Sequence, residues 1–220
     1  MSKVRDIVFE GEKFWGPGVS PPLSLPDVSR WGNNGVFTNV IWVRQPSGLW
    51  AMSFNGTTSL VDCGNDASLL NFSARSVLAW VKPTAALAAG FILDSGYWTG
   101  NGSHMFITAT GVLVVTMQNA GEDSNLAGET LTVSTWAQVG LTWDGTTLKS
   151  VYNGVVNVAT TPHAGAITSG ANLIIGRRAD DASEYWKGFI ALSRIYNCFL
   201  SASQTRQRDE VKRPLFFGVN

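Results

Sequence analysis

The clearest pattern of hydrophobic and polar positions in the chain lies between Trp136 and Ala159. From Ala137 to Trp143 every second residue is apolar. This alternation predicts a β-strand with one face on a core and the other toward water. The dipeptides Asp144-Gly145 and Asn153-Gly154 interrupt the pattern, and both tolerate the positive φ that type I′ turns require. We therefore predict three short strands joined by two type I′ turns.

Similar strand-like runs recur along the chain, separated by clusters of glycine, asparagine and aspartate. The predicted strands outside the central meander are Val36–Trp42, Ala51–Phe54, Ser59–Cys63, Ser76–Val81, Phe91–Leu93, His104–Thr108, Leu113–Met117, Leu173–Ile175 and Phe189–Tyr196. Because no long helical period lies between them, this series predicts an all-β sandwich. Trp80, Trp136 and Trp143 fall on strand positions and are predicted to lie in the core.

The two ends of the chain depart from the strand pattern. Gly16-Pro17-Gly18 and Pro21-Pro22 prevent a regular ladder, so an irregular N-terminal arm is predicted. Ser201 and Gln204 fit a capping box, which predicts one helix that ends near Val211. The apolar tail after it is expected to dock on its own sheet. Without an internal repeat or linker, one domain is predicted, with the boundaries 1–26 for the arm, 27–211 for the sandwich and 212–220 for the tail.

Composition narrows the classes of partner. Charged residues make up 15% of the chain, hydrophobic residues 45%, and 23 residues are glycine, which suits a turn-rich β structure rather than disorder. The formal net charge is zero, so nothing favours electrostatic capture of nucleic acid or of an anionic membrane. The first residues lack an apolar signal segment, and no run approaches ~18 apolar residues. The sequence therefore predicts cytoplasmic synthesis without a signal peptide, no membrane insertion and no nucleic-acid partner.

Hydrolysis of glycans would need two carboxylates that face each other across a cleft. Two acidic segments are the nearest candidates, and both are predicted to be solvated polar loops. They contain Glu122, Asp123 and Glu129, and Asp180, Asp181 and Glu184. His104 and His163 lie in separate segments, and no Ser/His/Asp or Cys/His arrangement stands out. We therefore predict that the protein is not an enzyme.

A carbohydrate ligand would bind to exposed aromatic rings flanked by amides and carboxylates. Two loops carry such side chains and form the predicted ligand site. The first loop contributes Tyr97, Trp98, Asn101 and His104, and the second contributes Asp180, Asp181 and Tyr185. The alternative for Trp98 is that its ring only packs locally at a hydrophobic loop tip.

Five stretches of the chain share their order and residue types with one protein family. The early loop reads D-V-S-R-W-G-N-N-G, a later strand reads S-V-L-A-W-V-K-P, and the central meander contains L-T-W-D-G-T-T-L-K. The stretches are Asp27–Gly35, Ser53–Asp62, Ser76–Pro83, Trp136–Gly154 and Trp186–Ser201. Together they resemble the laminin G-like family of concanavalin A-like lectin/glucanase sandwiches, which includes pentraxins. The resemblance implies an antiparallel two-sheet jelly roll with ligands on the concave face or at the loop rim. It implies no single activity, because this fold carries many functions.

The resemblance also implies a cofactor, because this family often holds a structural calcium ion between the early loop and an acidic residue of the last long strand. Asp27, Asn33 and Asn34 match the loop, and their oxygens suit calcium. The last strand departs from the family pattern, since Ile190–Arg194 reads I-A-L-S-R and lacks the acidic residue. A calcium ion on these three residues is one hypothesis, and side-chain bonds that fix the loop backbone are the other. No other cofactor is predicted.

The chain has two cysteines, Cys63 and Cys198. In a chain without a signal peptide, buried thiols are the expectation. The alternative is a disulfide between them, because the resemblance implies that the strand ending at Cys63 lies in the same sheet as the final strand, which ends at Asn197. Such a bridge would close a very long loop.

The leading functional prediction is a non-catalytic binding or assembly module, a structural or adhesion component of a larger particle such as a phage or virus virion. Its partners would be protein subunits of that assembly or further copies of itself. The apolar segments Phe14-Trp15 and Leu215–Phe217 would clamp these neighbours. The alternative is a lectin-like domain that binds carbohydrate, and a glycoside hydrolase is the function that the residues favour least.

Overall fold

The computed structural model of the protein describes residues 7–11, 22–84, 89–96, 101–119 and 122–217. Its strands form two large antiparallel sheets and one small one. Sheet A contains β1 (Ile7–Gly11), β4 (Ile41–Arg44), β5 (Trp50–Asn55), β8 (Arg75–Pro83), β13 (Ala137–Trp143), β14 (Thr147–Tyr152), β15 (Val155–Val156), β16 (Thr161–Pro162) and β19 (Lys187–Tyr196). Sheet B contains β2 (Ser24–Leu25), β3 (Gly35–Thr38), β6 (Leu60–Asp62), β9 (Gly90–Asp94), β10 (Gly102–Ile107), β11 (Val112–Asn119), β12 (Glu122–Thr130) and β18 (Ile174–Ile175). The small sheet pairs β7 (Asn71–Phe72) with β17 (Ile167–Thr168), and the helices are α1 (Ala67–Leu70), α2 (Ala202–Lys212) and α3 (Pro214–Phe217).

The strand order is β15-β14-β13-β8-β19-β5-β4 in sheet A and β12-β11-β10-β9-β18-β6-β3-β2 in sheet B, and β16 pairs with β14. The long strand β19 lies along β8 on one side and has two partners on the other. Its first part, Lys187–Ile190, pairs with β5, and its last part, from Ser193 to Tyr196, pairs with β1. The predicted all-β antiparallel sandwich with a short C-terminal helix is confirmed. None of the helices in the described ranges is long and apolar enough to cross a membrane.

Two apolar clusters lie on opposite faces of sheet A. Val77 and Val81 of β8 face the core between the sheets, and Trp143 of β13 joins them there. Trp80 faces the other way and packs with Trp136 on the outer face of sheet A. The prediction that these three tryptophans are buried is confirmed. Two of them, however, lie beneath the C-terminal segment rather than between the sheets.

The C-terminal segment covers this outer face. α2 begins at the predicted capping box, in which the Gln204 amide donates to Ser201 Oγ (3.3 Å) and the Ser201 amide donates to Gln204 Oε1 (2.9 Å). In α3, Phe216 stacks on Trp80, with ring centroids 4.1 Å apart and planes at 12°. The tail therefore docks on its own sheet through Phe216, as predicted, whereas Phe217 remains 49% exposed. Phe14-Trp15, the other predicted clamp, lies outside the described residues.

Asp209 of α2 is a buried carboxylate whose Oδ2 pairs with Arg213 at 2.6 Å. Burial raises the pKa of Asp209, although the hydrogen bond from Arg213 opposes the rise. Because the folded pKa lies above the unfolded one, the stabilisation from the protonated carboxyl is complete below the unfolded pKa. It is lost as pH rises through the folded pKa. The free energy of unfolding should therefore decrease as pH rises above about 4, the ordinary pKa of an aspartate. We expect Asp209→Asn to remove this decrease, measured by urea denaturation over a range of pH.

The matched control for this prediction is Asp181→Asn, which removes an exposed carboxylate from the loop between β18 and β19. It should keep the wild-type pH dependence. An Asp209→Asn protein with the wild-type slope would show that this carboxyl does not set the pH response of α2.

The acidic segment that contains Glu122 is the edge strand β12 and not the predicted polar loop. It pairs with β11 from Asn119↔Glu122 to Val112↔Thr130. Its inward position Ser124 is polar, and the hydroxyl is satisfied by donating to the Pro162 carbonyl at 2.7 Å. A strand that buries a hydrogen-bonded serine shows no apolar alternation, so the sequence pattern does not reveal it. Part of the predicted irregular arm is likewise a strand, β1.

The two predicted type I′ turns differ. Asn153 and Gly154 both have positive φ, 49° and 78°, as a type I′ turn requires. At the other turn only Gly145 does, with φ 99°, so the type I′ prediction is wrong there. Asp144 Oδ1 accepts hydrogen bonds from the Thr146 and Thr147 amides (2.9 and 2.8 Å). This side-chain cap replaces the tight two-residue turn with a longer connection.

The two cysteines belong to different sheets. Cys63 follows β6 in sheet B and packs in the core between the sheets, whereas Cys198 follows β19 in sheet A and packs beside Leu200 on the outer face. The placement in one sheet that the resemblance implied is therefore wrong, and no disulfide joins the two residues. Burial raises the pKa of the Cys63 thiol, which keeps it protonated.

Candidate functional site

The two loops predicted to bind a ligand approach each other at Asp94, the last residue of β9. The first follows β9, and the second follows β18, which pairs directly with β9 through Ile174↔Asp94 and Ile175↔Leu93. The Phe91 amide also donates to the carbonyl of Glu184 in the second loop (2.9 Å). We call the surface formed by these two loops the rim. Because β9 and β18 are antiparallel, the loops that follow them leave at opposite ends, and the second loop reaches the first by folding back to Asp94.

The buried Asp94 side chain accepts hydrogen bonds from both rim loops. Its Oδ1 accepts a hydrogen bond from the Gly96 amide (2.9 Å) in the first loop, and its Oδ2 accepts one from the Ala179 amide (2.7 Å) in the second. The ring of His104 contacts the same carboxylate, with Nδ1 2.5 Å from Oδ1. Asp94 and His104 are both fully buried. His104, predicted to contact a ligand, therefore supports the rim from the interior and does not reach its surface.

The second rim loop presents charged and aromatic side chains. Arg178 donates to both carboxylate oxygens of Asp180 (2.8 and 2.9 Å), and these hydrogen bonds raise the pKa of Arg178. The Arg177 guanidinium lies 5.9 Å from the ring centroid of Tyr185. Asp181 is exposed. Asp180 and Asp181 thus lie on a solvated loop, as predicted, and Tyr185 is half-buried on the same loop. Binding of a ligand by these residues stays a prediction.

The first rim loop is described only at its two ends. Asn101 is half-buried where the chain enters β10. Tyr97 and Trp98, the predicted aromatic contacts, lie outside the described residues.

The early loop, predicted to hold calcium, is closed by its own side chains. Asp27 accepts hydrogen bonds from the Ser29 amide at Oδ1 (2.8 Å) and from the Asn33 amide at Oδ2 (2.7 Å). Asn34 Oδ1 accepts from the Asp27 amide (2.9 Å), and Asn33 Nδ2 donates to Ser68 Oγ in α1 (3.1 Å). The bonds to backbone proposed as the alternative are therefore present. A calcium ion would share carboxylate oxygens that already accept hydrogen bonds, and it stays a prediction.

Over the described part of the chain, no group of three or more His, Cys, Asp or Glu side chains is arranged to hold a metal ion.

A groove that sequence reasoning missed lies on the flank of the sandwich. It has a volume of about 430 Å³, and we call it the side groove. Its lining residues are Glu129, Tyr152, Asn153, Val155, Val156, Asn157 and Val158. Glu129 comes from β12 and the others from β14, β15 and the residues around them. The Asn153-Gly154 turn is visible in the sequence, but its proximity to Glu129 depends on how β12 packs against β14, for which the sequence carries no signal.

A second groove, of about 400 Å³, lies on the outer face of sheet A beside the tail. Its aromatic wall is formed by Trp136 and Phe216, whose ring centroids are 4.8 Å apart. The Lys82 ammonium lies 5.2 Å from the Trp136 ring centroid and donates to Gln45 Oε1 at 3.1 Å. Burial lowers the pKa of Lys82. Lys82 and Phe216 of the tail thus already cover the ring of Trp136 in this groove.

Comparison with solved structures finds the same sandwich in several binding domains. The binding domain of Paraclostridial Mosquitocidal Protein 1 matches with a TM-score of 0.75 and 15% identity, covering 95% of this chain and 53% of that chain. Domain 4 of AbnA, a GH43 extracellular arabinanase from Geobacillus stearothermophilus, in complex with arabinotriose, matches with a TM-score of 0.65 and 20% identity, covering 83% and 91%. The native heptameric SAP-like pentraxin from Limulus polyphemus matches with a TM-score of 0.55 and 20% identity, covering 71% and 80%.

This chain spans about half the length of the toxin binding domains that it matches, and at these identities the likeness shows the fold. No curated protein matched the sequence. A family model described as the concanavalin A-like lectin/glucanases superfamily matches residues 55–205, well over half of the chain. The protein therefore belongs to the concanavalin A-like lectin/glucanases superfamily.

Proposed function

We propose that this domain is a non-catalytic binding module that holds a protein partner, as a structural or adhesion component of a larger particle such as a phage or virus virion. The observation that carries the proposal is a set of exposed apolar side chains at one edge of the sandwich. There β2 ends sheet B and β4 ends sheet A. Leu23, Val36 and Ile41 lie at this edge with exposed fractions of 86%, 66% and 61%. We call it the open edge.

The open edge has two properties of a protein-contact surface. Its end strands carry hydrogen-bonding groups on their outer sides, which favours pairing with another chain. Its apolar side chains gain by burial, roughly 1.5–3 kcal/mol for each that is fully covered. The ring centroids of Phe37 in β3 and Trp42 in β4 lie 5.6 Å apart, and both rings pack against the core, which holds the two sheets together at this edge. This edge supports assembly better than the C-terminal tail does, because Phe216 of the tail packs on its own sheet and Phe217 is less exposed than the apolar side chains of the open edge.

The proposal predicts reversible self-association through the open edge, since another copy is the simplest protein partner. Leu23→Glu with Ile41→Lys should weaken this association at least tenfold, which corresponds to ~1.4 kcal/mol. Sedimentation velocity over a range of protein concentrations measures it. The matched control is Val211→Lys, which places a charge at an equally exposed valine of α2. A wild-type protein that stays monomeric throughout, or a double variant that associates like the wild type, would contradict the proposal.

A carbohydrate partner at the rim is the second candidate function. It is favoured by the Asp94 carboxylate, which accepts hydrogen bonds from both loops of the rim and so holds them together. The structural neighbour solved with arabinotriose supports a sugar as the partner class. Several of the neighbours are binding domains, which supports a function without catalysis.

A further inference from the structure

The side groove exists because β12 approaches β14 closely at the flank of the sandwich. Gly128 of β12 lies against Ser150 of β14, and a Cβ added at residue 128 would be only 3.1 Å from Ser150 Oγ. This close approach places the next residue, Glu129, beside Tyr152 at the end of β14. One wall of the groove therefore comes from sheet B and the other from sheet A.

The floor and lip of the side groove are apolar. Tyr152 is half-buried and packs against the core between the sheets, so its ring is held in place. Val155 and Val158 stand at the lip with exposed fractions of 58% and 94%. A fixed aromatic ring with neighbouring aliphatic groups can cover the C–H face of a sugar ring.

The polar groups of the side groove include both donors and acceptors. Asn153 Oδ1 accepts a hydrogen bond from the Gln138 amide (3.0 Å), and Asn157 Oδ1 accepts one from the Ala159 amide (3.0 Å). The carbonyl oxygens of both side chains are thus engaged, which leaves the two NH₂ groups as the donors for a ligand. Glu129 is exposed and supplies carboxylate acceptors. A sugar hydroxyl donates and accepts at once, so pairs of hydroxyls match this arrangement.

The negative charge of Glu129 in the side groove should favour neutral sugars over acidic ones. Glu129 is the only carboxylate among its lining residues, and none of those residues is a lysine, an arginine or a histidine. An acidic sugar would be repelled, whereas a neutral one would gain a charge-assisted hydrogen bond. The volume of about 430 Å³ lies within the roughly 300–1,000 Å³ of small-molecule sites.

We propose that the side groove formed by Glu129, Tyr152, Asn153 and Asn157 binds a neutral saccharide. This site is separate from the open edge and from the rim. Its failure would leave the proposed protein contact untouched, and the reverse also holds.

The test is an NMR titration of the ¹⁵N-labelled full chain with arabinotriose, maltotriose and mannotriose, and with trigalacturonic acid as the acidic probe. We expect saturable shifts of the Asn153 and Asn157 side-chain NH₂ signals with at least one neutral probe and none with the acidic probe. Glu129→Gln should weaken that binding about tenfold or more, as expected for the loss of a charge-assisted hydrogen bond. Asn157→Asp keeps the bond to the Ala159 amide but removes the NH₂ donor, and it should abolish binding.

Two further variants distinguish sugar binding in the side groove from sugar binding at the rim. Glu210→Gln removes an exposed carboxylate of α2 that does not line the groove, and it should bind like the wild type. Asp181→Asn tests the rim. Binding that is lost in Asp181→Asn and kept in Glu129→Gln would place the sugar at the rim and overturn this inference. It would also be overturned if no neutral probe shifts the two NH₂ signals, or if the acidic probe binds more tightly.

Discussion

Gly140→Ala is expected to lower the free energy of unfolding by about 3 kcal/mol. Gly140 lies opposite Leu78 in the central pair β13–β8. A Cβ at residue 140 would overlap the Val77 carbonyl oxygen and would lie 2.7 Å from Leu78 Cδ2. The Leu78 side chain can move, but the carbonyl belongs to the backbone of β8 and moves only if the ladder between the two strands is distorted. Urea denaturation monitored by tryptophan fluorescence measures the change.

The control for Gly140→Ala is Gly170→Ala, because an added Cβ at residue 170 has no atom within 4 Å. This second variant should be neutral or stabilising by up to about 1 kcal/mol, since alanine restricts the unfolded chain. Equal stabilities for the two variants would mean that β8 and β13 tolerate a wider separation than the structure shows.

Asp94→Asn is expected to destabilise the protein by about 2–4 kcal/mol. The two oxygens of this buried carboxylate accept from the Gly96 and Ala179 amides, and His104 contacts one of them. An asparagine side chain has a single oxygen, so its NH₂ group would face either the Gly96 amide or the Ala179 amide. One buried donor would then meet another donor. Because the Gly96 amide and His104 both contact Oδ1, the remaining oxygen should stay at that position and the NH₂ group should face the Ala179 amide. The bond to Ala179 would then be lost, and the second rim loop should detach from the first.

Two measurements test the Asp94→Asn prediction. Urea denaturation gives the loss of stability, and amide hydrogen exchange should become faster across residues 177–186. Asp181→Asn makes the same chemical change at an exposed position of the rim and should alter stability by less than about 0.5 kcal/mol. Unchanged exchange in the second loop of Asp94→Asn would show that other contacts hold the rim together.

The central meander shows what sequence pattern can predict. The alternation from Ala137 to Trp143 and the Asn153-Gly154 turn are local signals, and the structure confirms the strands and the type I′ turn there. The capping box at Ser201 is local as well and is present. The strand β12 was not predictable from apolar alternation, because its buried Ser124 is stabilised by the Pro162 carbonyl, a partner far away in the sequence.

The candidate sites show the same limit more strongly. Sequence pattern identified the two rim loops separately, but the hydrogen bonds of Asp94 that join them arise only once β9 and β18 pair. Glu129 and Tyr152 of the side groove lie on strands of different sheets, and no spacing in the chain relates them. Local propensity therefore predicts the strands, whereas the grooves depend on contacts between distant segments.

On one side, β19 pairs with two different strands, β5 and β1, and this arrangement affects the order of folding. Residues 7–11 lie against the last part of β19, so almost the whole described chain separates two strands that must hydrogen-bond. Closing such a large loop is entropically costly, and contacts of this kind form late. During translation, sheet A would therefore remain incomplete until residues 193–196 have left the ribosome. Until then, that part of the sheet would be open to pairing with other nascent chains.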